Sequence, residues 1–196
     1  NEVGLSAGSQ AIPPGISFYT FQMIAFAVDS TRKPHARLRF VDYLNFTAFF
    51  PQIVAGPIER GRDLLPQLEN FRFKFKARAF DIGMRWLSLG FFFKLFLGNT
   101  LAPFVDHGAT ANPFVIATSA FCFGLRIYFD FAGYSFIAVG IARILGVRLT
   151  VNFRAPYTST SIREFWQRWH ITLSRWFRDY LYIPLGGGRV RWASFN

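Results

Sequence analysis

Residues 83–105 read GMRWLSLGFFFKLFLGNTLAPFV, a stretch of 23 residues that is almost entirely apolar and aromatic. It carries two charges, Arg85 near one end and Lys94 inside. A helix of about 20 mainly apolar residues spans the hydrocarbon core of a bilayer. The stretch therefore predicts a transmembrane helix and an all-α integral membrane fold.

Apolar segments on both sides of this stretch extend the same pattern. Residues 12–28 (IPPGISFYTFQMIAFAV) and residues 113–131 are two further candidate spans, and residues 134–149 form a shorter one. In the first of these, Pro13, Pro14 and Gly15 are expected to begin or break the helix. Together the segments predict a bundle of about five helical segments in a single domain, residues 1–196.

The segment at residues 40–58 (FVDYLNFTAFFPQIVAGPI) is interrupted by Asp42, Pro51, Gly56 and Pro57. Basic loops flank it on both sides, and both cannot be cytoplasmic if one complete span lies between them. The segment is therefore predicted to be a broken, re-entrant pair of half-helices. Irregular backbone at membrane depth must be buried in protein or line a cavity, which points to a tunnel.

Composition supports a membrane protein. The chain is 52% hydrophobic and 17% charged, against about 25% charged residues in soluble domains. The net charge is +11, and the basic residues lie in clusters between apolar runs. This distribution is typical of cytoplasmic membrane loops rather than of one nucleic-acid-binding face. One such run, FRFKFKARAF at residues 71–80, alternates apolar and basic residues. It could be a strand, but an interfacial segment in contact with lipid phosphates is favoured.

Cys122 is the single cysteine, so neither a disulfide framework nor a thiolate metal site is expected. The chain begins with Asn1 and ends at Asn196, shortly after an apolar segment. It is expected to be a fragment of a longer protein.

Asp130 lies among aromatic residues in LRIYFDFAGYSF, and a carboxylate at membrane depth usually faces a cavity or a partner. Arg126, four residues earlier, can pair with it on the same helix face. The pair could fasten the helix to its neighbours or line a substrate path. Lys94 is expected to extend to the interface, and His35 and His107 are expected to be solvated or capping residues.

The remaining histidine, His170, lies in a stretch that predicts one amphipathic helix beginning near Ile162. The aromatic face of that helix would carry His170 with Trp166, Trp169, Trp176 and other apolar residues at spacings of three, four and seven. Glu164–Arg168 and Arg175–Asp179 would pair on another face, and Thr160 or Ser161 would cap the helix with Glu164. A histidine on such a face could be a satisfied core residue or a catalytic base.

Four segments together resemble one family. They are FFPQIVAGPIER (49–60), IYFDFAGYS (127–135), NFRAPY (152–157) and FWQRWHITLSRWFRDYLYIPLGGGR (165–189). They are similar to the membrane-bound O-acyltransferases, and most similar to the bacterial alginate O-acetyltransferase branch. The resemblance runs from about Ile12 to the C-terminus, and the ending YIPLGGGR favours this branch over the related D-alanyl branch.

The resemblance implies a multi-pass protein of the bacterial inner membrane that works in alginate or other exopolysaccharide O-acetylation. An acyl group, acetyl in this branch, would pass from a cytoplasmic-side thioester such as acetyl-CoA to a hydroxyl of an exported polysaccharide or periplasmic relay protein. Membrane lipid would be a further partner, with no bound cofactor, metal or nucleic acid. The alternatives are D-alanyl transfer to teichoic-acid-type polymers, or a non-enzymatic transporter or scaffold.

The resemblance also implies the site. The family motif WxRWH corresponds to Trp166, Arg168, Trp169 and His170, and imidazole has a suitable pKa for a general base. The family's second histidine would lie beyond Asn196, so this chain alone is expected to be inactive. An oxyanion would need donors, for which tryptophan N–H groups, Arg168 and Arg178 are candidates. The residues expected to line the substrate site or tunnel are Asp130, Tyr134, Asn152, Trp166, Arg168, Trp169, Ser174, Trp176, Arg178 and Asp179.

Overall fold

The computed structural model describes residues 15–32, 39–53, 56–69, 71–105 and 112–187. All regular structure within these ranges is helical. The helices are α1 (Ile16–Arg32), α2 (Phe40–Thr47), α3 (Phe50–Ile53), α4 (Gly61–Leu68), α5 (Ala77–Phe91), α6 (Asn99–Val105), α7 (Pro113–Ile144), α8 (Ile162–Arg168) and α9 (Ile171–Phe177). Two π-helical segments, Phe92–Gly98 and Arg178–Tyr182, and one 3₁₀ turn, Pro156–Thr158, complete the order.

The opening apolar stretch forms one helical run. Helix α5, the π-helical segment and α6 continue without a break from Ala77 to Val105, so the run begins six residues before the predicted start at residue 83. The basic segment at residues 71–76 that precedes it has no regular structure, and the strand alternative is therefore wrong.

Helix α7 corrects the prediction of two separate spans at residues 113–131 and 134–149. It is one helix of 32 residues, Pro113–Ile144. Asn112 caps its start by accepting a hydrogen bond from the backbone N–H of Phe114, and Pro113 occupies its first turn. Gly133 does not interrupt the helix; it lies where the backbone of Gly90 in α5 approaches α7 closely.

Glycines allow the close approach of α5 and α7. A Cβ atom added to Gly90 would lie 2.8 Å from the carbonyl oxygen of Gly133, and one added to Gly83 would lie 2.8 Å from that of Gly140. Each helix thus repeats its contact glycine after seven residues, and the two helices run antiparallel. Small residues at helix contacts are typical of membrane bundles, where backbones approach closely.

The other predicted segments are shorter than a full span. Helix α1 begins directly after Gly15, whose φ of +83° lies in the left-handed region; Pro13 and Pro14 lie outside the described residues. Residues 40–58 are broken, as predicted, into the short helices α2 and α3, followed by extended chain at residues 57–60. One hydrophobic cluster, Phe46, Leu64, Leu65, Ala142 and Val147, joins these elements to the end of α7.

Two helical runs, Ala77–Val105 and Pro113–Ile144, are long and apolar enough to cross a membrane. Their most apolar windows are 11% and 0% buried within the chain, whereas the core helix of a soluble protein is mostly buried. Their exposed side chains include Phe91, Phe121 and Phe123. The all-α membrane fold predicted from the sequence therefore agrees with the structure.

We expect the protein to stay in the membrane pellet after washing with alkaline carbonate, because the two apolar runs would have to leave hydrocarbon to be released. Immunoblotting of the pellet and supernatant measures this. A peripheral protein bound through its basic loops would instead appear in the supernatant, and that result would contradict the membrane-spanning assignment.

Candidate active site around His170

His170 lies at a break between two helices, and the predicted continuous helix from Ile162 is wrong at this point. Helix α8 ends at Arg168, α9 begins at Ile171, and His170 has φ +40° and ψ +56°. This left-handed conformation is uncommon for a residue other than glycine, although histidine adopts it more often than most. Trp166 and Trp169 therefore do not share a helix face with Trp176, and Trp166 is 53% exposed.

The capping prediction for α8 is confirmed. Ser161 Oγ accepts a hydrogen bond from the backbone N–H of Glu164 at 3.2 Å, and the Glu164 carboxylate accepts one from the N–H of Thr160 at 2.8 Å. Arg168 pairs with Glu164, as predicted, and also donates to Thr158 Oγ1 at 2.7 Å. Reciprocal capping of this kind satisfies N–H groups that have no partner within the helix.

The segment that follows α7 holds the break in place. The backbone N–H of Ile171 donates to the Asn152 carbonyl oxygen at 2.9 Å, and the N–H of Arg154 donates to the Arg168 carbonyl oxygen at 3.0 Å. Asn152 is fully buried, and its Oδ1 accepts hydrogen bonds from Thr172 Oγ1 at 2.6 Å and from the Thr172 N–H at 3.2 Å. The segment is thus bonded to the chain on both sides of His170.

Aromatic rings enclose the imidazole. Its centroid lies 4.7 Å from that of Phe131, 6.0 Å from Phe18 and 6.3 Å from Phe153. These rings come from α7, α1 and the segment after α7, so three elements distant in sequence converge on His170. Trp169 packs edge-to-face with Phe153, at 5.1 Å between centroids.

Burial keeps the imidazole of His170 in its neutral form. His170 is 6% exposed, and burial lowers its pKa to about 4. It lies outside the two membrane-spanning runs, and it is uncharged near neutral pH. Its Nε2 atom is buried and accepts no hydrogen bond from the described residues. A neutral imidazole with an unengaged nitrogen can receive a proton from a substrate hydroxyl.

The predicted oxyanion donors are largely committed to other partners. Trp176 Nε1 donates to the Phe21 carbonyl oxygen at 2.9 Å, and Arg168 is occupied by Glu164 and Thr158 as described above. Arg178 Nε donates to Asp179 Oδ1 at 2.7 Å. None of these groups is directed at His170 through a contact in the described residues, and the oxyanion role stays a prediction.

Asp179 corrects a second predicted pair. It binds Arg60 and Arg178, not Arg175. Helix α9 ends at Phe177, so Asp179 lies in the π-helical segment Arg178–Tyr182, outside the helix that carries Arg175. Tyr180 donates to Asp29 Oδ2 at 2.7 Å. Arg178 and Asp179 thus belong to a charged face at the end of α1, while Ser174 is held near the break by a bond to the Trp169 carbonyl oxygen at 3.3 Å.

Asp130 and Tyr134 lie on the face of α7 that packs against the π-helical segment Phe92–Gly98. Lys94 Nζ lies 2.6 Å from Asp130 Oδ1 and 4.9 Å from the centroid of the Tyr134 ring. The prediction that Lys94 extends to the interface is therefore wrong. Arg126 is also near, with Nε 3.9 Å from Asp130 Oδ2, as expected from its spacing. Phe131, the next residue, faces His170 instead.

We expect Asp130→Leu to lower the amount of folded protein more than Lys94→Met, because it leaves Lys94 and Arg126 facing each other without a carboxylate. Unpaired charge at membrane depth is costly. The double variant Lys94→Met/Asp130→Leu should recover part of the loss. Size-exclusion chromatography of detergent extracts measures the folded fraction. If the loss of folded protein in the double variant equals the sum of the losses in the two single variants, Lys94 and Asp130 do not interact.

Sequence reasoning missed Glu59 and Thr172 as parts of this region. The buried Glu59 carboxylate accepts hydrogen bonds from the N–H and the hydroxyl of Thr150, and burial raises its pKa. The backbone N–H of Ile58 donates to Thr172 Oγ1 at 3.0 Å. Glu59, Thr150 and Thr172 line a cavity of about 270 Å³ together with Arg60, Arg62, Arg175 and Arg178. The acid between an apolar run and two arginines in GPIERGR (56–62) was the available signal.

The described ranges contain no cluster of three or more histidine, cysteine or acidic residues that could hold a metal ion. Cys122 is a free thiol on α7. His35, His107, Gly188 and Arg189 lie outside the described residues.

A family profile places this arrangement in context. The profile of the membrane-bound O-acyltransferases matches residues 16–195, which is nearly the whole chain. The chain belongs to the membrane-bound O-acyltransferase family. The family resemblance noted in the four sequence segments is confirmed. The chain is therefore an integral membrane protein that is helical wherever the described residues have regular structure, as the two apolar runs indicate.

Similar proteins with curated names include an alginate O-acetylase, a peptidoglycan O-acetyltransferase and a teichoic acid D-alanyltransferase. The probable alginate O-acetylase AlgI of Pseudomonas putida is 42% identical over 189 residues, covering 94% of this chain and 38% of the relative. The peptidoglycan O-acetyltransferase of Helicobacter pylori is 36% identical over 210 residues, covering 92% and 40%. The teichoic acid D-alanyltransferase of Bacillus subtilis is 34% identical over 177 residues, covering 86% and 44%. The chain thus spans about two fifths of the length of these relatives.

Proposed function

We propose that the complete protein is a membrane-bound O-acyltransferase that moves an acetyl group from a thioester donor to a hydroxyl of an exported polysaccharide or of a relay protein. His170 acts as the general base. The observation that carries this proposal is the buried, neutral imidazole, held at a helix break inside an aromatic enclosure, whose Nε2 has no hydrogen-bond partner among the described residues. Family membership supplies the reaction class.

The chemistry explains why a histidine serves here. A hydroxyl is a weak nucleophile near neutral pH, so attack on a thioester carbon needs a base that removes the hydroxyl proton as the new C–O bond forms. The thiolate of the donor then leaves and takes up a proton. A water-excluding aromatic wall of Phe18, Phe131 and Phe153 also protects the thioester from hydrolysis.

Identity to the relatives favours acetyl over D-alanyl transfer. The alginate O-acetylase relative of Pseudomonas putida is 42% identical, whereas the D-alanyltransferase relatives of Bacillus subtilis and Streptococcus thermophilus are 34% and 28% identical. We further propose a multi-pass location in the bacterial inner membrane with the donor on the cytoplasmic side. The basic loops support that orientation, because lysine and arginine accumulate on cytoplasmic loops.

The experiment that tests the proposal uses the complete protein in lipid nanodiscs. It is incubated with acetyl-CoA labelled in the acetyl group and with alginate, and base-labile label in the polymer is counted. A parallel reaction offers a D-alanyl carrier protein and teichoic acid. We expect label only in the first reaction. Transfer of D-alanine would contradict the acetyltransferase assignment. So would the absence of acyl transfer to any hydroxyl acceptor.

A further inference from the structure

The backbone at His170 is held in a left-handed conformation that requires external support. A residue other than glycine at φ +40° is disfavoured by contact between its Cβ and the backbone, and it persists only where the surroundings hold it. Helix α9 supplies one such contact, a hydrogen bond from the Ser174 N–H to the His170 carbonyl oxygen at 3.1 Å. Further support comes from another part of the chain.

Asn152 provides that support with both its backbone and its side chain. Its carbonyl oxygen accepts from the N–H of Ile171, the residue directly after His170, at 2.9 Å. Its Oδ1 accepts from the N–H and the hydroxyl of Thr172. Three hydrogen bonds from one buried residue thus fix the first turn of α9, where the N–H groups have no partner within the helix.

Thr172 connects this arrangement to a third segment. Its hydroxyl donates to Asn152 Oδ1 at 2.6 Å and accepts from the Ile58 N–H at 3.0 Å, and Thr172 is 6% exposed. The buried hydroxyl therefore both donates and accepts a hydrogen bond. Loss of either bond would leave a buried polar group without a partner. The segment at residues 57–60, which has no regular structure, and the segment after α7 meet at this one hydroxyl.

We propose that Asn152 and Thr172 are positioning residues that hold the left-handed turn at His170 and thereby direct its imidazole into the aromatic enclosure. Neither residue touches the reacting atoms. Their effect on acyl transfer rests on the function proposed above, whereas their effect on the placement of His170 does not. A displacement of about 1 Å at a catalytic group can cost up to about a hundredfold in rate.

The test uses Thr172→Val, which removes the hydroxyl at nearly constant shape, and Thr172→Ser, which retains it. Thr118→Val is the matched control, because the Thr118 hydroxyl bonds to the Phe114 carbonyl oxygen one turn earlier in α7 and to no other group in the described part of the chain. The complete protein carries each change in nanodiscs. Two quantities are measured: kcat and KM for acetyl transfer, and the rate at which diethyl pyrocarbonate modifies His170. Mass spectrometry gives that rate relative to His35 and His107 of the same chain.

For Thr172→Val we expect His170 to be modified at least about threefold faster and kcat to fall about ten- to a hundredfold, with KM within about twofold. Thr172→Ser should restore both, and Thr118→Val should change neither. Equal modification rates in Thr172→Val and Thr118→Val would overturn the proposal, and so would failure of Thr172→Val to accumulate in the membrane. If His170 is modified faster in Thr172→Val but the unchanged protein transfers no acetyl group, the positioning role is supported. Only the proposed function is then contradicted.

Discussion

In the complete protein, His170→Ala is expected to reduce acetyl transfer by about a hundred- to ten-thousandfold, the usual contribution of a general base. The amount of protein in the membrane should stay near normal. His170 Nε2 engages no group among the described residues, so truncation leaves no hydrogen-bond partner of that atom unsatisfied. The packing contacts that are lost with the imidazole ring are mainly those with Phe18, Phe131 and Phe153. Single-turnover acetyl transfer and immunoblotting measure the two quantities.

His170→Gln separates catalysis from structure. Glutamine fills part of the enclosure and can form hydrogen bonds, but it cannot accept a proton at neutral pH. We expect its activity to be as low as that of His170→Ala. An abundant His170→Gln protein that acetylates at the wild-type rate would show that His170 is structural.

The second large effect concerns the contact between α5 and α7. Gly133→Ala is expected to destabilise the protein strongly, because the new Cβ would lie 2.9 Å from the Gly90 carbonyl oxygen and 2.9 Å from the Lys94 backbone nitrogen. Backbone atoms cannot turn aside as a side chain can, so the helices must separate. Overpacking of this kind typically costs about 1–3 kcal/mol. Thermal unfolding of the detergent-solubilised complete protein measures the change.

Gly124→Ala is the matched control on the same helix. A Cβ there would have its nearest neighbour at 3.7 Å, the Tyr157 hydroxyl oxygen, which is an ordinary contact. Replacing a helical glycine by alanine then favours the helix by up to about 1 kcal/mol. We expect Gly124→Ala to unfold at or above the wild-type temperature. If the two variants unfold at the same temperature, close backbone approach does not limit the stability of this helix pair.

Elements governed by local sequence were predicted well. The apolar length of residues 83–105 indicated a spanning helix, and the helix is present with an earlier start. The Ser161–Glu164 cap and the Glu164–Arg168 pair were predicted because their partners lie within one turn of each other. Family motifs likewise depend only on the order of residues, so the sequence was sufficient to indicate the membrane-bound O-acyltransferases, and His170 remains the predicted base.

Predictions that needed knowledge of distant partners were the ones that failed. Lys94 was assigned to the interface because its partner, Asp130, lies 36 positions away on another helix. Asp179 was paired with Arg175 by spacing, but Arg60, from a different segment, approaches it instead. A side chain bonds to the charge that folding brings nearest, and no local spacing encodes that choice.

The sequence by itself determined that the chain is helical and apolar enough to enter a membrane, and it indicated His170 as the candidate base. Length, hydropathy and motif order are properties of short segments, and these segments retain them in any context. The tertiary structure alone decided that the helix breaks at His170. The left-handed turn is unfavourable locally, and it exists because Asn152, eighteen positions earlier, bonds to the residues that follow it.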